Sequence, residues 1–256
     1  VSIPKPNTLR VEQGEGHVLV TLDRPAAKNA IDAEMIGDLH ALCAELERAP
    51  QLMILTGGAD GVFAGGADIG ELRDRRRDDA LAGINLNLFN RIRALPMPTI
   101  AAIDGYALGG GAELSYACDL RIITPRTVFG QPEPGLGIIA GAGATFRLVR
   151  LLGESVAKQI LLAGDWVKAD RALALGLAHS VVEPAELLDA ARALAAKMGR
   201  NSAIAMRMTK LAVDAAESAH PQLDLAIQAL LFEDEEKISR MTDFLVKKSQ
   251  PKNPRP

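Results

Sequence analysis

Apolar positions follow two rhythms along the first two thirds of the chain. HVLVTLDRP (17–25) alternates and closes on a turn, which predicts a strand. DAEMIGDLHALCAELER (32–48) instead carries Met35, Leu39, Leu42 and Leu46 at helical spacing, with Asp32 placed to cap the N-terminus. QLMILTGG (51–58) reads as a buried strand running into a glycine turn, and FAGGADIGEL (63–72) as a loop entering a helix. AGINLNLFNRIRAL (82–95) predicts a helix that PMP (96–98) stops. PTIAAIDG (98–105) is another buried strand, GGGAELSYACD (109–119) begins a helix, and LRIITP (120–125) is again a strand. The order strand, glycine turn, helix, strand recurs, which points to an α/β fold.

From about Pro184 only the helical rhythm remains, in AELLDAARALAAKM (185–198), SAIAMRMTKLAVDAA (202–216) and the long stretch 221–248. Leu223, Ile227, Leu230 and Leu231 make one apolar face, which docks either on the chain's own core or on a neighbouring subunit. The expected division is a core over 1–195 and a helical region over 196–256, ending in a frayed tail, SQPKNPRP. RDRRRDD (73–79) is the one charge run. It is either a solvated helix end or a mobile lip over a pocket.

Composition narrows the class. With 256 residues, 48% hydrophobic and 24% charged, the chain suits a soluble domain able to bury a sizeable core. A net charge of -3 gives no electrostatic reason to expect nucleic acid. Two cysteines, Cys43 and Cys118, exclude a disulfide framework and point to a reducing cytoplasm. VSIPKPNTLRVEQGEG (1–16) does not read as a signal peptide, and the longest apolar windows are broken by Asp104 and glycines, so no membrane span is expected.

The candidate chemistry is carboxylate chemistry. His17, His40, His179 and His220 are scattered without ligand spacing, so no metal is expected. Neither a GxSxG elbow nor a phosphate loop occurs, GLGIIAG (135–141) has the wrong glycine spacing for a dinucleotide, and both cysteines lie in apolar windows. Glu113 falls on the first turn of the helix leaving Gly109, Gly110 and Gly111, and Glu133 on a turn held by Pro132 and Pro134. Small and apolar neighbours raise the pKa of such groups by desolvation, and two glutamates can serve one substrate as proton donor and acceptor. A single such glutamate could equally cap a helix. The glycines expose backbone N–H groups to a ligand, the construction of an oxyanion hole, and FAGGAD can offer a second donor. Tight helix–strand packing uses glycine in the same way, and the residues alone leave both readings open.

In order and spacing, FAGGADI, IDGYALGGGAEL, CDLRI and FGQPEPGLG resemble the enoyl-CoA hydratase/isomerase (crotonase) family, and the likeness runs from LDRPAAKNAID to VVEP. The resemblance implies a spiral of ββα units with C-terminal helices that build a homo-trimer, often paired into a homo-hexamer. It implies a coenzyme A thioester as substrate and no separate cofactor. By carry-over, the N–H groups of Ala67 and Gly110 hold the thioester oxygen. Ala26, Lys28, Ala67, Asp68, Ile69, Gly70 and Gly141 belong to the coenzyme A and substrate site. Phe244 and Lys247 match the family's C-terminal aromatic and lysine; a solvated helix lysine is the other reading of Lys247. Glu113 and Glu133, twenty residues apart, together with Gln131, follow the hydratase pattern. The implied reaction is addition of water across the α,β double bond of an enoyl-CoA, with Glu113 as base and Glu133 as acid. An isomerase or other acyl-CoA reaction on the same scaffold, or a non-catalytic acyl-CoA-binding protein, are the alternatives. The chain departs from the family at Ala140, Ala144 and Phe146, where a Pro and the run GAGGTQRL are usual, which bears on acyl-chain preference.

Overall fold

The computed structural model describes residues 6–58 and 61–249, so the expected frayed tail lies, from residue 250 on, outside the described residues. The chain divides after Met198 into two compact units. In the first, β1 (Leu9–Gln13) pairs antiparallel with β2 (His17–Leu22). All of β2 is buried, so its apolar run is covered on both faces. In α1 (Ala33–Arg48), Asp32 caps as expected by accepting from the Met35 N–H at 2.9 Å. The four apolar positions of its sequence pattern all face the core.

Three strand pairs follow: β3 (Leu52–Thr56) with β4 (Val62–Ala64), β5 (Thr99–Ile103) with β6 (Tyr106–Leu108), and β7 (Leu120–Ile123) with β8 (Val128–Gly130). With β9 (Val167–Lys168) and β10 (Ser180–Val181) they build two sheets, ordered β1-β2-β3-β5-β7-β10 and β4-β6-β8-β9. The first strand of each pair thus joins the large sheet and the second the small one. Strands β4, β6 and β8 run parallel as neighbours, so their C-terminal ends come out side by side. The turns that follow them therefore meet at one end of the small sheet, where open parallel sheets bind ligands.

Parallel neighbours need crossovers, and helices supply them. Between β4 and β5 lie α2 (Ile69–Asp74), α3 (Arg77–Ala82) and α4 (Ile84–Arg93), and α5 (Gly110–Ala117) joins β6 to β7. Beyond β8 come α6 (Ala144–Leu152), α7 (Glu154–Ala163), α8 (Ala169–Ala174) and α9 (Leu187–Gly199). The charge run at 73–79 spans the junction of α2 and α3. Six of its residues are exposed, as a solvated helix end requires, and Arg75 turns inward to donate to Asn85 Oδ1 at 2.8 Å.

The second unit contains α10 (Ala203–Asp214), α11 (Gln222–Phe232) and α12 (Glu235–Ser249). The long stretch 221–248 thus forms two helices. They part at Glu233 and Asp234, where the Asp234 carboxylate accepts from the Glu236 N–H at 2.8 Å and competes with helix continuation. Leu225, Leu230, Phe232, Ile238 and Phe244 are exposed along this unit.

Candidate active site

Three turns converge beyond the small sheet. The turn after β4 is held by a parallel bridge in which the Ile31 N–H donates to the Gly66 carbonyl at 2.8 Å and the Asp68 N–H to the Ile31 carbonyl at 3.1 Å. That pairing leaves the N–H of Ala67 out. Gly109 ends β6 with φ 49°, donates to the Gly130 carbonyl at 2.8 Å, and opens α5. The N–H of Gly110, at the first position of that helix, has no partner within it. A methyl group built on Gly110 would come within 3.3 Å of the Ala67 nitrogen, so the two donors are neighbours. The third turn, after β8, is a short 3-10 stretch, Glu133–Leu136. It lies so close that a side chain on Gly109 would begin 2.7 Å from Glu133 Oε1.

Both glutamates are buried, Glu113 at 3% exposure and Glu133 at 8%. Glu113 Oε1 accepts from the Ala144 N–H at 3.0 Å, across 31 residues of sequence. Burial pushes the Glu113 carboxyl up to about 7, and the charge of Glu133 adds to the rise. The N–H groups of Ala144 and Ala142 and the guanidinium of Arg147 oppose it. Burial raises Glu133 too, against the pull of its own backbone N–H. The Gln131 amide, 1% exposed, lies against the Glu133 carboxyl, and with its nitrogen assigned to that side it donates to Oε2 at 2.9 Å and Oε1 at 3.3 Å when Glu133 is ionised. Two neighbouring carboxyl groups with raised proton affinity can hold one proton between them and pass it to and from a bound molecule.

The remaining expected residues distribute unevenly. Ala26 lies in a 3-10 turn, Pro25–Ala27, and Lys28 follows it in left-handed backbone, φ 52°. The Lys28 carbonyl accepts from the Gly65 N–H at 2.9 Å, which docks this turn on the one carrying Ala67. Asp68 caps α2 by accepting from the N–H groups of Gly70 and Glu71, while Ile69 and Gly70 are exposed. Gly141 is exposed on the loop before α6. Phe244 lies in the second unit, on α12, 64% exposed. Lys247 is on the same helix, with its side chain outside the described residues.

Two contributors escaped the sequence reading. Asn29 is buried, and its amide nitrogen donates to the carbonyls of Gly57, Val62 and Phe63 at 2.9–3.2 Å, tying the Lys28 turn to β4. Its signal is faint: an Asn placed where the backbone turns left-handed. Arg147 is buried behind Glu113, and here a signal existed, because Ala144, Arg147, Leu148 and Leu151 share one helical stripe.

Cys43 is buried with its thiol pushed up to about 12, chiefly by burial, so it is a poor nucleophile. Among the described residues no cluster of His, Cys, Asp or Glu could hold a metal ion, and no helix is long and apolar enough to cross a membrane.

Known proteins share this architecture. The family model described as Enoyl-CoA hydratase/isomerase matches residues 12–250. The short-chain-enoyl-CoA hydratase of Clostridium acetobutylicum is 37% identical over 243 residues, covering 91% of this chain and 93% of that protein. The crotonyl-CoA hydratase of Syntrophomonas wolfei is 35% identical over 246 residues, covering 93% and 95%. Among solved structures, the enoyl-CoA hydratase of Bacillus anthracis superposes with a TM-score of 0.89 at 29% identity, over 94% of this chain and 97% of that one. A match running almost end to end, through all three converging turns, makes the chain a member of the enoyl-CoA hydratase/isomerase family.

Proposed function

We propose that this protein is an enoyl-CoA hydratase, adding water across the α,β double bond of a trans-2-enoyl-CoA thioester to give a 3-hydroxyacyl-CoA. The observation that carries the reading is the pair of buried glutamates on adjoining turns, beside two neighbouring backbone N–H groups. Two relatives named for hydration of short enoyl thioesters support it.

In the proposed mechanism the thioester oxygen accepts from Ala67 and Gly110, so negative charge developing there meets fixed donors in a water-poor site. Losing one such donor typically costs about 10²–10³ in rate. Ionised Glu113 takes a proton from water as its oxygen bonds to the β carbon, and protonated Glu133 gives its proton to the α carbon. The product carries the water's hydroxyl on the β carbon and the Glu133 proton on the α carbon, while the water's other proton rests on Glu113. Return of that proton between the two carboxyls resets the site. Ala26, Lys28, Asp68, Ile69, Gly70, Gly141, Phe244 and Lys247 are proposed contacts of the coenzyme A thioester, which is itself the only cofactor-like group required. The apolar side chains exposed on the second unit support assembly as a homo-trimer or a pair of trimers. Two buried free thiols fit the proposed cytoplasmic location.

The test follows crotonyl-CoA through its conjugated-enoyl absorbance, with Glu113→Gln and Glu133→Gln beside the wild type. Loss of absorbance, 3-hydroxybutyryl-CoA as product and dependence on both glutamates are expected. Full activity in either variant would overturn the assigned roles. Production of absorbance from an unconjugated enoyl-CoA, with no hydration, would move the reading to isomerisation.

A further inference from the structure

Arg147 buries a permanent charge that acts on Glu113. Nη1 donates to the Ala142 carbonyl at 2.9 Å, and Nη2 to Asn90 Oδ1, on α4, at 2.6 Å. Its guanidinium carbon lies 4.9 Å from the centre of the Phe146 ring. A side chain on Gly143 would begin 1.7 Å from Nη1, so the arginine fills the space that this glycine leaves. The segment it grips, residues 142–144, is the one that reaches Glu113, through the Ala144 N–H at 3.0 Å. Ala142 is thus held by its carbonyl two residues before the N–H that serves Glu113.

We infer that Arg147 is a positioning residue for Glu113: anchored to α4 through Asn90, it fixes the 142–144 segment that orients the carboxylate and presents a positive charge to it. The role as stated for hydration rests on the hydratase reading above. The charged groups acting on Glu113 are Glu133, from the turn after β8, and Arg147, from α6. Arg93, on α4, in turn acts on Arg147. Removing the guanidinium therefore takes away the cation that favours ionised Glu113 and leaves only the backbone N–H groups to oppose burial and Glu133. Glu113 then holds its proton to higher pH.

Three variants separate positioning from mere packing: Arg147→Gln, Arg147→Lys and Asn90→Ala. The readouts are the titration of the Glu113 carboxyl by carbon-13 NMR in the protein without substrate, and the kcat and KM of crotonyl-CoA hydration against pH. Arg147→Gln should raise the Glu113 midpoint above that of the wild type. It should also lower kcat by about 10²-fold, with KM within about twofold of wild type. Arg147→Lys keeps the charge without the fork, so the midpoint stays near wild type while kcat still falls. Asn90→Ala changes only an exposed side chain, and it should lower kcat at unchanged KM. An unmoved midpoint in folded Arg147→Gln overturns the inference. If that variant does not fold, unchanged kcat in Asn90→Ala overturns it. A wild type that does not hydrate crotonyl-CoA removes the hydratase reading instead, and the NMR midpoint still decides whether Arg147 governs Glu113.

Discussion

At the scale of single residues, the two carboxyls must differ in protonation for the proposed chemistry to run at neutral pH. Hydration should therefore follow a bell in pH, because it needs Glu113 ionised and Glu133 protonated while burial raises both carboxyls. Because the groups interact, the apparent values of this bell belong to the pair. Each glutamine variant should lose about 10²–10⁴ in kcat, with one limb of the bell flattened. The same burial has a cost in stability, and its sign follows from linkage. Glu113 binds its proton more tightly folded, near 7, than at its ordinary value of 4.5. Its contribution is present in full below that ordinary value and is lost as pH rises through the folded one. Glu113→Gln should therefore melt higher than wild type at pH 8 and at nearly the same temperature at pH 4, as differential scanning calorimetry would read. Equal melting temperatures at both pH values would mean the carboxyl is not under that strain.

At the scale of elements, α5 is buried from Gly110 to Ala117, and its first turn packs on the neighbouring strand without room for a side chain. A methyl group on Gly111 would lie 2.2 Å from the Ala64 carbonyl oxygen. Backbone cannot yield there as a flexible side chain could, so Gly111→Ala should cost about 1–3 kcal/mol of unfolding free energy in urea. Full stability in that variant would show that α5 can shift on β4. Elements such as α1 were legible in the sequence because their information is local: a cap at Asp32 and four apolar residues at one period. The paired glycine turns were legible as motifs, since small residues and a glutamate at fixed spacing stand out whatever the surroundings. Strands β4, β6 and β8 were not, because three residues are too few to display a period. They form because neighbours supply the ladder. What joins Glu113 to Ala144, or Asn29 to β4, is a contact across about thirty residues that no local pattern encodes. For Arg147 the apolar stripe of α6 encodes burial, but not the partners, Ala142 and Asn90, that make burying its charge tolerable.

At the scale of the whole molecule, Leu225, Leu230 and Phe232 on α11 are at least half exposed, an apolar display unusual for a monomer. Sedimentation should accordingly find the wild type as a trimer or hexamer, and Leu225→Glu with Leu230→Glu should release smaller species. A wild-type monomer at micromolar concentration would remove the assembly proposal. The burial of α5 has a further consequence, for how such a protein can change over generations. The helix that presents Gly110 and Glu113 is also the piece on which the small sheet is packed, so a side chain added at Gly111 disturbs folding and chemistry together. Residues 134–139, by contrast, face solvent and can vary without that penalty. Novelty therefore has an easy route and a hard one. The exposed turn is free to drift, whereas a bulkier residue at Gly111 is rejected by packing before any new reaction could be tried.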